Sequence, residues 1–128
     1  MSAITCGLQD PRGTIQKFGT HAGSTGEVTL ISPVQVAAND QHHLIDLKAA
    51  VKKGAEGTIF RLYISADGST YTHVDSVEIG DYGTYTSTYG VSLKVPAGYY
   101  WKVTGQQDTA ARMAIKVGGV AKVFDVRD

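Results

Sequence analysis

The chain has 128 residues and a mass of 13.6 kDa, the size of a single domain. Lys and Arg total 12 and Asp and Glu total 12, so the formal net charge is zero. That balance excludes a basic protein that coats nucleic acid and an acidic tail protein. Val occurs 13 times, Thr 13 and Ile 8, against 6 Leu and 3 Glu. β-Branched side chains are stiff at χ1 and suit a pleated strand, and good helix formers are scarce. A chain of this length buries roughly two-thirds of its surface on folding, so it needs no covalent staple.

Residues 1–26 lack a periodic apolar pattern. Glycines at 7, 13, 19, 23 and 26 and Pro11 punctuate small polar residues. Ile4, Leu8, Ile15 and Phe18 are widely spaced apolar anchors. The stretch is expected to be an extended Gly-rich arm that is loose in an isolated monomer. It would lie either over a neighbouring subunit or on its own domain. Residues 27–128 are then the folded domain.

Strand signals begin at Glu27. Val28, Leu30 and Ser32 alternate with Thr29 and Ile31, and Pro33 marks an edge or bend. Val34 and Val36 continue the pattern, and Ala38-Asn39-Asp40 makes a turn. A strand from about 42 to 48 follows, with His43, Ile45 and Leu47 on one face, then a loop or a helical turn over Ala49–Lys53. Thr58–Ser65 is the clearest strand, with Phe60, Leu62 and Ile64 on one face. Asp67-Gly68 supplies a hairpin turn of two or three residues. Tyr71–Ile79 returns, and a bulge accounts for the broken alternation at Val74 and Val77.

Residues 80–90, GDYGTYTSTYG, form a low-complexity Gly, Thr, Ser and Tyr segment. Val91, Leu93 and Val95 alternate, Pro96-Ala97-Gly98 turns, and Tyr99, Trp101 and Val103 form the next inward set. Met113–Val117 and Val120–Phe124 flank Gly118-Gly119, the pattern of a type I′ hairpin pairing Val117 with Val120. Roughly eight strands at such spacing predict an all-β, single-domain antiparallel β-sandwich, jelly-roll-like or Ig-like, with the extended N-terminal arm.

No motif carries catalysis. GxSxG and HExxH are absent, and His42 and His43, adjacent on a strand, point to opposite faces. Asp67-Gly68-Ser69 lacks the spaced oxygen ligands of a calcium loop and reads as a turn. No glycine-rich phosphate loop follows a strand and opens a helix, and Lys52-Lys53 is the only basic doublet, so nucleic acid is not indicated. The single cysteine, Cys6, cannot form an intrachain disulfide, and the first residues lack the pattern of a signal peptide. No stretch approaches the roughly 18 apolar residues of a membrane span. The expectation is a protein made in a reducing cytoplasm, with no enzyme activity, cofactor, metal, membrane or nucleic-acid partner.

Tyrosine is the feature above background. Tyr82, Tyr85 and Tyr89 sit among Gly, Ser and Thr, a composition suited to adaptable binding loops. They read either as a partner or glycan surface or as one edge strand. Trp101 reads either as a glycan platform or, being in phase with Tyr99 and Val103, as core.

The segments LYISADGSTYTHV and VSLKVPAGYYWKVTG resemble small β-sandwich virion proteins of tailed bacteriophages, in which such a DGS-T hairpin and a strand–PAG–aromatic strand recur. The resemblance spans roughly residues 58–105; residues 1–30 match no such pattern. It implies a capsid decoration (cement) protein, or a tail or head–tail connector subunit, located in the virion and assembled in the host cytoplasm. Its partners would be the major capsid protein or another virion protein, and further copies of itself, a trimer being the natural ring. Ile4, Leu8, Ile15, Phe18, Tyr82, Tyr85 and Tyr89 are the expected contact residues. The other class of function is a carbohydrate-binding module built on Trp101 and the tyrosine cluster.

Overall fold

The computed structural model describes residues 8–52, 57–79 and 86–125, with side chains described at 13–52, 57–79 and 90–121. Within them are eight strands and no helix: β1 (Leu8–His21), β2 (Val28–Gln35), β3 (Asp40–Val51), β4 (Thr58–Ser65), β5 (Thr72–Ile79), β6 (Thr86–Val95), β7 (Tyr100–Gln106) and β8 (Met113–Asp125). They form two four-stranded antiparallel sheets. The front sheet has the order β1-β8-β3-β6 and the back sheet β2-β7-β4-β5. The nested pairs β1·β8, β2·β7, β3·β6 and β4·β5 are those of one long hairpin rolled into two layers. That is jelly-roll topology, and it decides between the two expected sandwiches.

The core lies between the sheets. Leu44, Leu47, Ala49, Val51, Val95, Met113, Ile115 and Val117 come from the front; Ile31, Phe60, Leu62, Val77, Ile79, Trp101 and Val103 come from the back. The period-2 pattern of β4 is kept, with Phe60 and Leu62 fully buried. Asp67 shapes the β4–β5 loop by accepting the N–H groups of Ser69 (2.8 Å) and Thr70 (2.9 Å) at Oδ1. Gly68 sits there at φ 80°, against the Tyr100 ring. This loop runs from Ala66 to Tyr71, longer than the expected tight hairpin. The expected bulge is present: Leu62 pairs with Asp75 but Tyr63 pairs with His73, leaving Val74 unpaired.

Three expectations are corrected. First, Met113–Asp125 is one continuous strand, not a hairpin. Gly118 and Gly119 lie mid-strand where β3 bulges, Leu44 pairing with Gly119 and Asp46 with Gly118. A Cβ at Gly119 would collide with the His43 carbonyl, and one at Gly118 would come 2.5 Å from Asp46 Oδ1. The glycines admit a neighbouring strand rather than reverse the chain. Second, residues 49–51 extend β3 instead of turning, and the bulge changes its phase. Leu44, Leu47, Ala49 and Val51 face inward and Ile45 outward. Third, the stretch expected as an arm is, over Leu8–His21, the edge strand of the front sheet, paired along β8 of its own domain. Ile15 is 6 % exposed and anchors β1 to the core, so it is not a surface contact.

Candidate functional site

The sandwich presents two outer faces of different character. On the back face, Glu27 is the hub of a polar cluster. Its Oε2 accepts the hydroxyls of Tyr63 and of Thr104 (2.5 Å), and Arg61 Nη1 lies 3.5 Å away. Arg61 also donates to Gln106 Oε1 at 2.9 Å, and Gln106 Nε2 donates to the Thr25 carbonyl at 3.1 Å. Partial burial pushes the Glu27 carboxyl up, but the bonds from Thr104 and Tyr63 and the Arg61 charge outweigh it, leaving the pKa below its ordinary value. Partial burial and the bond to Glu27 push the Tyr63 hydroxyl up. Lys102 Nζ lies 4.3 Å from the Tyr71 ring centre and 5.4 Å from that of Tyr63, and the Tyr63 and His73 rings stand 5.6 Å apart. A shallow cavity of about 240 Å³ opens beside them, lined by Glu27, Val28, Thr29, Tyr63, Lys102 and Thr104. The charges of this central cluster are matched from within.

The front face differs. Its rows follow from the register: Phe18 pairs with Lys116, and Lys116 with Lys48, across β1, β8 and β3. Lys94 adds a third exposed ammonium, opposite His43, whose Nε2 lies 3.1 Å from Ser92 Oγ. Among the residues with described side chains, Asp46 brings a carboxylate to this face, lying over Gly118. Among the described residues, no carboxylate lies within ion-pair distance of Lys48 or Lys116. Two like charges directly opposite on neighbouring strands repel. Phe18 (67 % exposed) and Ile45 (43 %) add apolar area on the same face.

At one end of the sandwich, the Trp101 indole N–H donates to His42 Nδ1 at 3.1 Å. Burial lowers the His42 pKa, Asp40 opposing and Lys17 adding to the shift. At the other end, buried Gln107 ties three segments together. Its Oε1 accepts the N–H groups of Ser24 (3.2 Å) and Ala111 (3.1 Å), and Nε2 donates to Thr58 Oγ1 (3.2 Å). No group of three His, Cys, Asp or Glu side chains among the described residues is placed to hold a metal ion.

Of the residues expected to make contacts, Phe18 is exposed on the front face. Leu8 lies in β1 opposite Asp125, and Tyr89 in β6 opposite Leu47, with side chains outside the described set. Ile4, Tyr82 and Tyr85 lie outside the described residues. Trp101 is 0 % exposed, so it cannot serve as a stacking platform for a sugar and is core. The Lys48–Lys116 neighbourhood escaped the sequence reading. The two residues are far apart in the chain and meet only through the β3·β8 register.

No protein-family model and no curated protein matches the sequence. Among solved structures, the fold is similar to a protein of Bacillus endospore appendages, described as a family of disulfide-linked pili. The TM-score is 0.60 at 11 % identity, over 98 % of each chain. A chain of a nora virus structure gives a TM-score of 0.49 at 10 % identity, over 100 % of this chain and 65 % of that one. The Yersinia pseudotuberculosis-derived mitogen gives a TM-score of 0.44 at 15 % identity, over 92 % and 91 %. At these identities the likeness is one of fold.

Proposed function

We propose that the chain is a non-enzymatic structural subunit that assembles with copies of itself. The narrower reading is a virion protein of the capsid-decorating kind, seated on the shell through the major capsid protein; a tail or connector subunit is the same reading in another place. The observation that carries it is the end-to-end likeness, over 98 % of each chain, to a protein of pilus-forming appendages. The exposed Phe18 on edge strand β1 supports it, because open strand edges and apolar surface pair with other chains unless blocked. Contact by the N-terminal residues with a neighbouring copy belongs to the same reading.

Sedimentation of the purified chain over a range of concentrations, with electron microscopy of the products, tests the general reading. Discrete oligomers or filaments are expected, and a monomer at all concentrations would overturn it. Co-sedimentation with undecorated capsids tests the narrower one. Saturable binding is expected; its absence in an oligomer leaves a structural subunit of a different assembly.

A further inference from the structure

We infer that copies of this chain join head to tail, the front face of one receiving the β5 edge of the next. This rests on the proposed self-assembling role and gives it a surface and an orientation.

The front face lacks charge balance. Among the described residues, Lys48 and Lys116 are direct cross-strand neighbours without an ion pair, Lys94 stands on the same face, and Asp46 lies nearby over Gly118. Holding two ammonium groups side by side costs stability in the monomer, and an incoming carboxylate removes that cost. The chain is neutral overall, so it carries as many acids as bases, and a second copy can supply carboxylates. β5 is the open edge of the back sheet and carries Asp75 and Glu78, which its register places on the two sides of that edge, opposite Leu62 and Ile59.

The apolar surface gives the same pairing. Among the described residues the exposed large hydrophobics are Phe18, Ile45 and Val74 (37 %). Phe18 and Ile45 lie on the front face, next to the lysines. Val74 is pushed out of β5 by its bulge, next to Asp75. Each surface thus combines apolar area with charge, and the two charges are opposite in sign. Among the described residues the front face sets three ammonium groups against the Asp46 carboxylate, so like charge disfavours pairing of two front faces. The contact is therefore heterologous, and a heterologous contact closes into a ring or continues as a filament.

A charge exchange tests this. One variant is Lys48→Glu with Lys116→Glu. The other is Asp75→Asn with Glu78→Lys; Asn at 75 keeps an oxygen to accept the Ser76 N–H, which Asp75 now accepts at 2.8 Å. Near-ultraviolet circular dichroism verifies that both fold, and sedimentation velocity reads association. Each variant alone should associate more weakly than the wild type by about tenfold or more, and an equimolar mixture should recover association, because each supplies the complement the other lacks. Phe18→Ser, which leaves every charge in place, should also weaken association. Unchanged association of the separate variants would overturn the inference while leaving self-assembly standing. Loss without recovery on mixing would overturn the choice of β5 and point to an acidic partner other than this chain. A monomeric wild type would overturn the underlying role itself.

Discussion

The two outer faces of the sandwich treat charge in opposite ways. On the back, Glu27 gathers Tyr63, Thr104 and Arg61, and Lys102 rests over two tyrosine rings, so its central charges have partners within the chain. On the front, Lys116 stands between Phe18 and Lys48 with no ion pair among the described residues. A face that satisfies its own charges gains little from a partner, whereas a face that leaves like charges adjacent gains by acquiring one. The difference separates surface that stabilises the monomer from surface held in reserve for contact.

The largest effects fall on the scaffold that both faces share. Trp101→Ala empties a fully buried position and should cost about 3–5 kcal/mol, read by denaturant unfolding. A cost near zero would mean that Trp101 is not core. Gln107→Leu leaves the N–H groups of Ser24 and Ala111 without their acceptor and should cost about 2–3 kcal/mol. Neither change is specific to one face, so association per folded molecule should be unaltered.

The Trp101–His42 bond gives the scaffold a pH dependence of known sign. His42 accepts at Nδ1, so the imidazolium cannot keep this bond. Its folded pKa lies below the ordinary 6.5, so the unfolded chain binds the proton more readily. The stabilisation is complete above about pH 6.5 and is lost as pH falls through the folded pKa. Melting temperature should drop between pH 7.5 and 5.0 in the wild type and drop less in His42→Gln. Parallel curves would refute the assignment.

The sharpest contrast lies between two small charge removals. Glu27→Gln on the back face should destabilise by up to about 1 kcal/mol, because a partly exposed cluster is screened by solvent. Its folded pKa is depressed, so that contribution is present above the unfolded value of 4.5 and lost as pH falls through the folded one. Lys116→Gln on the front face should do the reverse, stabilising the monomer by about 0.2–1 kcal/mol through relief of repulsion with Lys48 while weakening association. If both substitutions shift stability in the same direction, the two faces do not differ in the way described.

Much of the scaffold is written in local pattern. The alternation of β4, the Asp67-Gly68 turn and the bulge at Val74 each depend on residues close in sequence, and each is present. What failed depended on neighbours distant in sequence. Gly118-Gly119 has the local signature of a type I′ turn, yet its glycines are required by the bulge of β3 beside it. β1 reads as an arm because an edge strand needs few inward apolar residues; Ile15 suffices, and β8 supplies the rest of its pairing. Trp101 remained ambiguous until its partner, His42, was in place. The basic front face was the least legible, because a register joins Lys48 to Lys116 and no composition or spacing does.

The measurement that bears most directly on a front face reserved for contact is sedimentation velocity of the wild-type chain at fixed concentration in low and high salt. Association held by opposite charges is screened as the Debye length falls from about 30 Å at 0.01 M to about 10 Å at 0.1 M. Assembly at low salt that weakens as salt is added is the expected result. A species that remains monomeric in both would contradict a front face built to receive a partner.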